Sequence, residues 1–255
     1  MRVIVFSDIH GNPYACEAVL QAIKDEGAYD AILAAGDLCL GGSDPAACVE
    51  MLAAGGISGV YGNTEEYIYY PEVMPPDELH RAMWERVKPV AYWVREKLST
   101  DQMDWLQALP FEQRFSPSAQ PSDDLLVVHA NPKNNELMIY PPPAGQRELW
   151  GEVRQPNEDP HLGEILNGVN CSVIAFGHFH FTHERYWKDL HLVDVAPCSM
   201  PSIDRDPRAR YTIFTWDKGG WEISRRWVAY DFNSEIKALK ISDLPFREDF
   251  MRYFE

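Results

Sequence analysis

The sequence predicts an α/β sandwich of four layers, with two mixed β-sheets packed face to face and helices on the outside. Two observations carry that prediction. Compact apolar runs alternate with helically spaced segments over residues 3–61, and a second set of strand-like runs returns after residue 125. Each set is flanked by helix-forming segments, and two sheets that each need a covered face pack most simply against one another.

The elements follow in order. Val3 to Ser7 is a short apolar run bounded by polar residues, the pattern of a buried parallel strand. Asn12 and Pro13 supply an N-cap and a first-turn proline. Cys16, Val19, Leu20 and Ile23 continue at helical spacing, and Gly27 is placed to close the helix. Ala31 to Ala35 reads as a strand, Pro45 to Ala54 as a helix and Ile57 to Tyr61 as a strand. The stretch from Asp77 to Leu109 is rich in helix formers, bracketed by Pro75-Pro76 and Pro110, with Met83, Trp84, Val87, Trp93, Val94 and Leu98 as its apolar members. It is expected beside the core or over the site as a partial cap. Leu125 to Val128 is a strand. Residues 131–160 read as loop, stiffened by Pro141-Pro142-Pro143. Ser172 to Phe176, Arg185 to Trp187, Leu190 to Val195, Tyr211 to Trp216 and Trp221 to Val228 complete the strands, with Gly219-Gly220 as a hairpin turn. The expected organisation is one domain over 1–255, with a helical insertion at about 64–124 and a C-terminal tail after about 233 that reads as a surface helix or an extension.

Composition narrows the function. With 45% hydrophobic and 24% charged residues the chain is of ordinary globular type. No apolar run approaches the roughly 20 residues of a membrane span. The Val3–Phe6 run ends in Ser7-Asp8 rather than a cleavage site, so no leader is expected. The five cysteines are scattered and include no Cys-x-x-Cys pair, which argues against a disulfide framework or structural zinc and for a reducing compartment such as the cytoplasm. A formal net charge of -16 repels long nucleic acid.

Seven polar residues stand where predicted strands end: Asp8, His10, Asp37, Asn63, His129, His178 and His180. Carboxylate, amide and imidazole together form a mixed oxygen and nitrogen set suited to transition-metal ions. Asp8 and His10 are two apart, as are His178 and His180. If the chain stays extended there, each pair projects from one face and converges on one ion. Open α/β sheets place their sites at these carboxyl ends of strands.

These motifs, Asp8-x-His10, Gly36-Asp37, Gly62-Asn63, His129 and Gly177-His178-x-His180, resemble the signature of the calcineurin-like metallophosphoesterase superfamily. The resemblance runs from residue 3 to about 230. Within that superfamily, Asp8-Ile9-His10-Gly11-Asn12 and Asp206-Pro207-Arg208-Ala209 are similar to a group of small bacterial and archaeal predicted phosphodiesterases. The resemblance implies a first metal on Asp8, His10, Asp37 and His180, and a second on Asp37, Asn63, His129 and His178. It gives Asp37, Asn63 and His129 catalytic roles. The implied cofactors are two divalent ions (Mn, Fe, Zn, Ni or Co, with Mn favoured). Two cations about 4 Å apart lower the pKa of a water held between them, so the expected attack on a small phosphate ester is by hydroxide, with no protein nucleophile. Asn12 and Thr64 are candidate substrate contacts. Thr64 stands where many members carry a histidine, a candidate general acid. Ala196-Pro197-Cys198-Ser199 replaces the usual Asn-Pro-Gly-Ser. The expected reaction is phosphodiester hydrolysis. The alternatives are a phosphomonoesterase or phosphoprotein phosphatase and, outside the enzymes, a metal-binding scaffold for protein interaction. The remaining histidines, His80, His161, His183 and His191, are expected to be structural or on the surface.

Overall fold

The computed structural model describes residues 1–73 and 78–254. Pro75, Pro76 and Asp77 lie outside the described residues, as does the side chain of His80. The chain runs β1 (Arg2–Phe6), α1 (Pro13–Lys24), β2 (Ala31–Ala35), α2 (Pro45–Ala54), β3 (Ser58–Val60) and α3 (Asn63–Tyr69). The middle holds α4 (Glu78–Lys97), α5 (Thr100–Gln107), β4 (Glu112–Phe115), β5 (Leu125–Val128), α6 (Pro143–Trp150) and α7 (Pro160–Leu166). The last part holds β6 (Val173–Phe176), β7 (Glu184–Trp187), β8 (Leu190–Asp194), β9 (Ala209–Asp217), β10 (Gly220–Val228), α8 (Phe232–Ile241) and α9 (Arg247–Met251).

Two five-stranded sheets form, ordered β10-β9-β1-β2-β3 and β4-β5-β6-β8-β7. Both are mixed: β1, β2 and β3 run parallel, as do β5, β6 and β8, while the other pairs are antiparallel. Strand alternation divides the apolar residues into three layers of contact. Val3, Val5, Leu33, Ala35 and Val60 face Leu125, Val127, Val173, Ala175 and Val193 across the seam between the sheets. Ile4, Phe6 and Ala34 point the other way, onto α1 and α2, where Cys16, Val19, Ile23, Val49 and Leu52 meet them. Leu126, Val128, Ile174 and Leu192 point outward onto Leu162, Ile165 and Leu166 of α7. This is the expected four-layer arrangement. Truncating a seam residue such as Leu33 to alanine costs about 2–5 kcal/mol. Among the described residues no helix is long and apolar enough to cross a membrane.

Local chemistry sets the boundaries. Asn12 caps α1 by accepting from the Ala15 amide at 3.1 Å. That helix ends at Lys24 with Asp25 as its cap, so Gly27 serves the following turn at φ +78° rather than closing the helix. The middle segment is two helices, not one, because Ser99 and Gln102 form a capping box that starts α5. Trp84, Val90, Trp93, Val94 and Leu98 of this segment are buried, and most of them join the helical layer over β1 and β2. The segment therefore packs beside the core. Residues 131–160 hold two helix starts, and Pro143 stiffens the chain as a first-turn residue of α6. The hairpin turn centres on Lys218 and Gly219, both at positive φ, one position earlier than expected. The tail is more than a surface extension: α8 begins at Phe232 and buries Glu235 and Leu239, and Phe250 and Phe254 pack on the α1–α2 core.

Candidate metal centre

The carboxyl ends of β1, β2 and β3 in one sheet meet those of β5 and β6 in the other, and the predicted polar residues stand in the turns that follow. Two groups form. Asp8, His10, Asp37 and His180 present ligand atoms all within 4.8 Å of one another, and so do Asp37, His129 and His178. Asn63 joins the second group, its Oδ1 lying 2.9 Å from His129 Nε2 and 3.1 Å from His178 Nδ1. Asp37 belongs to both: Oδ1 is 3.3 Å from His129 Nε2 and Oδ2 is 3.6 Å from His10 Nε2.

The backbone brings these side chains together in an unexpected way. Asp8, His10, Asp37, His178 and His180 have φ of 58°, 51°, 55°, 69° and 57°, a left-handed conformation that non-glycine residues rarely adopt. The two-residue spacing therefore converges through left-handed turns, not through the extended chain expected from the sequence. Such positions cost of order 1–3 kcal/mol each and cluster where function demands them. They hold because neighbouring turns lock onto each other: Asp8 N donates to Gly36 O at 3.1 Å, His10 N to Asp37 O at 2.9 Å and Gly177 N to His129 O at 2.7 Å. Two glycines permit the close approach. A Cβ on Gly62 would lie 2.3 Å from Asp37 Oδ1, and one on Gly177 would lie 2.3 Å from Asp8 Oδ2.

The hydrogen-bond partners say which lone pairs face inward. His10 Nδ1 bonds Leu40 O and His180 Nδ1 bonds Met200 O, both at 2.7 Å, and His129 Nδ1 bonds Ala35 O at 2.9 Å. Each carbonyl fixes the tautomer, so each neutral ring turns a bare Nε2 toward the cluster. His178 is reversed, with Nε2 on Glu136 O at 3.1 Å and Nδ1 inward. Two such lone pairs, on His10 and His180, face each other at 2.9 Å. Acceptors opposed at this distance, beside two carboxylates, require a cation or a shared proton between them. The donor set fits divalent metal ions on that chemistry.

The charges agree. Burial raises the Asp8 carboxyl, but His180, then His129 and His10, outweigh it and hold the group well below the usual carboxylate range. Burial and neighbouring His180 push His10 down, and burial with His129 pushes His178 down to about 4, so both rings are neutral and ready to ligate. Burial lowers His129 and His180 as well, but Asp37 and Asp8 respectively overcome it and raise them.

A family model described as calcineurin-like phosphoesterase matches residues 1–181. The chain belongs to the calcineurin-like phosphoesterase family. An uncharacterized protein from Methanocaldococcus jannaschii is 27% identical over 140 residues, which cover 54% of this phosphoesterase and 53% of that relative's length. Among solved structures, a metallophosphoesterase from Sphaerobacter thermophilus superposes with a TM-score of 0.67 at 21% identity, covering 100% of this chain and 98% of that one. A hypothetical protein from Pyrococcus horikoshii OT3 gives 0.75 at 18% identity, covering 99% and 97%. These two likenesses show the fold.

The phosphoesterase uses the other candidate residues differently. Asn12 donates both amide hydrogens, to Ser199 Oγ at 3.0 Å and Tyr230 Oη at 3.2 Å, and is fully buried. Its polar atoms are committed to the scaffold. Thr64 donates to Asp37 Oδ1 from both its amide and its hydroxyl, at 3.0 and 2.9 Å. It braces the shared carboxylate instead of facing outward. Cys198 is not at positive φ and buries its side chain, while its amide donates to Ser7 O at 2.8 Å, so this loop does not need the glycine. His183 is buried among Phe176, Phe179 and Phe181, where burial drives it down to about 4. His161 is exposed, and His191 pairs with Glu184 at 2.8 Å.

Sequence reading missed Glu65. Its fully buried carboxylate accepts from the amides of Asp37, Leu38 and Gly62, each at 2.8 Å, and ties the second and third strand-end turns together. Burial and nearby Asp37 raise its pKa to about 7. The available signal was an acid three residues after Gly62, at the N3 position of α3, where a side chain can reach back to the N-cap amide. Tyr253 was also missed: its ring lies 6.2 Å from that of His180, at one edge of the first cluster.

Proposed function

We propose that the protein is a dinuclear phosphodiesterase acting on a small phosphate ester, with Mn the favoured ion. The observation that supports two ions is the Asp37 carboxylate, which turns one oxygen to each cluster. When bound, two divalent ions supply an activated water and neutralise charge on the phosphoryl oxygens. Asp8, His10 and His180 would hold the first ion with Asp37, and Asn63, His129 and His178 the second. Thr64 keeps Asp37 from swinging away from the shared position. The three imidazoles whose Nδ1 atoms are tied to carbonyls keep their Nε2 lone pairs aimed inward without further reorganisation.

The diester assignment rests on the similarity of Asp8-Ile9-His10-Gly11-Asn12 and Asp206-Pro207-Arg208-Ala209 to the group of predicted phosphodiesterases. The groups that lower the Asp8 carboxyl most are the imidazoles of His180, His129 and His10. With the Thr64 hydroxyl spent on Asp37, no side chain at that position donates a proton to the leaving oxygen. Esters with acidic leaving groups should therefore react fastest. General acid help is worth about 10²–10⁴ in rate, and alkyl esters forgo it here. The test is metal analysis of the purified protein, followed by Mn²⁺-supported rates on paired nitrophenyl mono- and diesters and on an alkyl diester. The diester should be preferred and the alkyl ester should lag. Faster monoester turnover would make the protein a phosphomonoesterase instead.

A further inference from the structure

Outside the ligand set, one circuit of hydrogen bonds closes on the second cluster. Asn63 Nδ2 donates to Tyr67 Oη at 3.3 Å, and Tyr67 Oη donates to Glu136 Oε1 at 2.8 Å. The Glu136 backbone carbonyl accepts from His178 Nε2 at 3.1 Å, and His178 Nδ1 faces Asn63 Oδ1 at 3.1 Å. The direction of this chain is forced. An ionised carboxylate only accepts, so Tyr67 spends its hydrogen on Glu136 and has a lone pair left for Asn63. Asn63 must then donate through Nδ2, which turns Oδ1 toward His129 and His178. The opposite amide orientation would present hydrogens to a cation.

Both partners are themselves held. The Tyr67 ring packs edge-on against Trp84 of α4, with centroids 5.2 Å apart. Glu136 sits in an asparagine-rich turn that begins two residues after His129. Asn131 Oδ1 accepts from the amides of Lys133 and Asn134, and Asn134 Oδ1 accepts from those of Glu136 and Leu137. Fully buried Asn131 thus fixes both the carbonyl that Glu136 offers His178 and the start of the side chain that reaches Tyr67.

We propose that Tyr67 and Glu136 are positioning residues for the second metal ion: they select the amide orientation of Asn63 and the tautomer of His178. The inference rests on the dinuclear reading. Replacing such a supporting partner typically costs 10–100-fold in metal affinity.

The test titrates Mn²⁺ alone into the full chain after chelation, by calorimetry and without substrate. Wild type should bind two ions. Tyr67→Phe should keep the first constant and weaken the second by about 10–100-fold. Glu136→Gln, whose amide oxygen accepts the same bond, should stay close to wild type. Glu136→Lys, a pure donor, reverses the chain and should weaken the second ion as Tyr67→Phe does. Wild-type affinity for the second ion in Tyr67→Phe would overturn the inference. So would equal weakening of both ions with a lowered metal-free melting temperature, since that marks a packing role. Uptake of one ion by the wild type would overturn the dinuclear reading itself.

Discussion

The two halves of the site are built to different standards. The first cluster joins two carboxylates, Asp8 and Asp37, to two imidazoles whose Nδ1 atoms are clamped by the carbonyls of Leu40 and Met200. Asp8 also accepts from the His178 amide through both oxygens at 3.2 Å. The second cluster has only the shared carboxylate, a neutral amide and two imidazoles, and one of these hangs from the carbonyl of Glu136, an exposed residue. More negative charge and fewer loose supports favour a cation at the first cluster. The difference teaches that the first ion's place is held by two carboxylates and two clamped imidazoles, while the second leans through His178 on the loop that carries Glu136.

Asp37→Ala should break both places at once. Turnover should fall by more than about a thousandfold, beyond the 10–100-fold of a residue that merely supports a ligand. Metal analysis beside circular dichroism would check that ions leave while the fold stays. The two clusters should separate in His178→Ala, which should still bind one ion per chain with wild-type affinity while the second is weakened by about a hundredfold or more. Retention of two ions would show that His178 is not a ligand. Gly62→Ala places a Cβ 2.3 Å from Asp37 Oδ1 and 2.7 Å from Asp37 N, so the shared carboxylate must shift. Overpacking of this kind costs about 1–3 kcal/mol, readable as a lower melting temperature together with weaker binding of both ions.

The smallest effect concerns the scaffold behind the first cluster. Glu235 of α8 accepts from the amide and hydroxyl of Ser43, in the loop that also carries Leu40, and burial raises its pKa from 4.5 to about 7. The folded state therefore keeps a proton that the unfolded chain has lost between those values. Stability falls as pH rises across that window and is flat on either side, by at most about 3 kcal/mol. Glu235→Gln should flatten this part of the profile in denaturant melts from pH 4 to 8. A profile unchanged by the substitution would assign the slope to other groups.

Much of the frame was legible in the sequence because buried parallel strands are written as unbroken apolar runs. Val3–Phe6, Ala31–Ala35 and Leu125–Val128 fall close to their expected bounds. Strand β4, Glu-Gln-Arg-Phe, was missed because it is an edge strand of four residues with two charged members. Helix α3 was missed because its cap, Gly62, carries no side-chain signal and because Asn63 reads as a loop residue. The polar residues at strand ends were visible as types and spacings. Their left-handed backbone was not, since nothing in Asp-x-His records a φ of 58°. The roles of Thr64, Glu65 and Tyr67 depend on contacts across turns far apart in sequence, and no local pattern carries those.

The central claim is that Asp37 is shared between two ions. Anomalous diffraction from crystals grown with Mn²⁺ measures it most directly. Two peaks should appear about 3.5–4 Å apart, one among Asp8, His10 and His180 and the other among Asn63, His129 and His178, with a different Asp37 oxygen nearest each. A single peak, or two peaks with Asp37 bound to only one, would contradict the account.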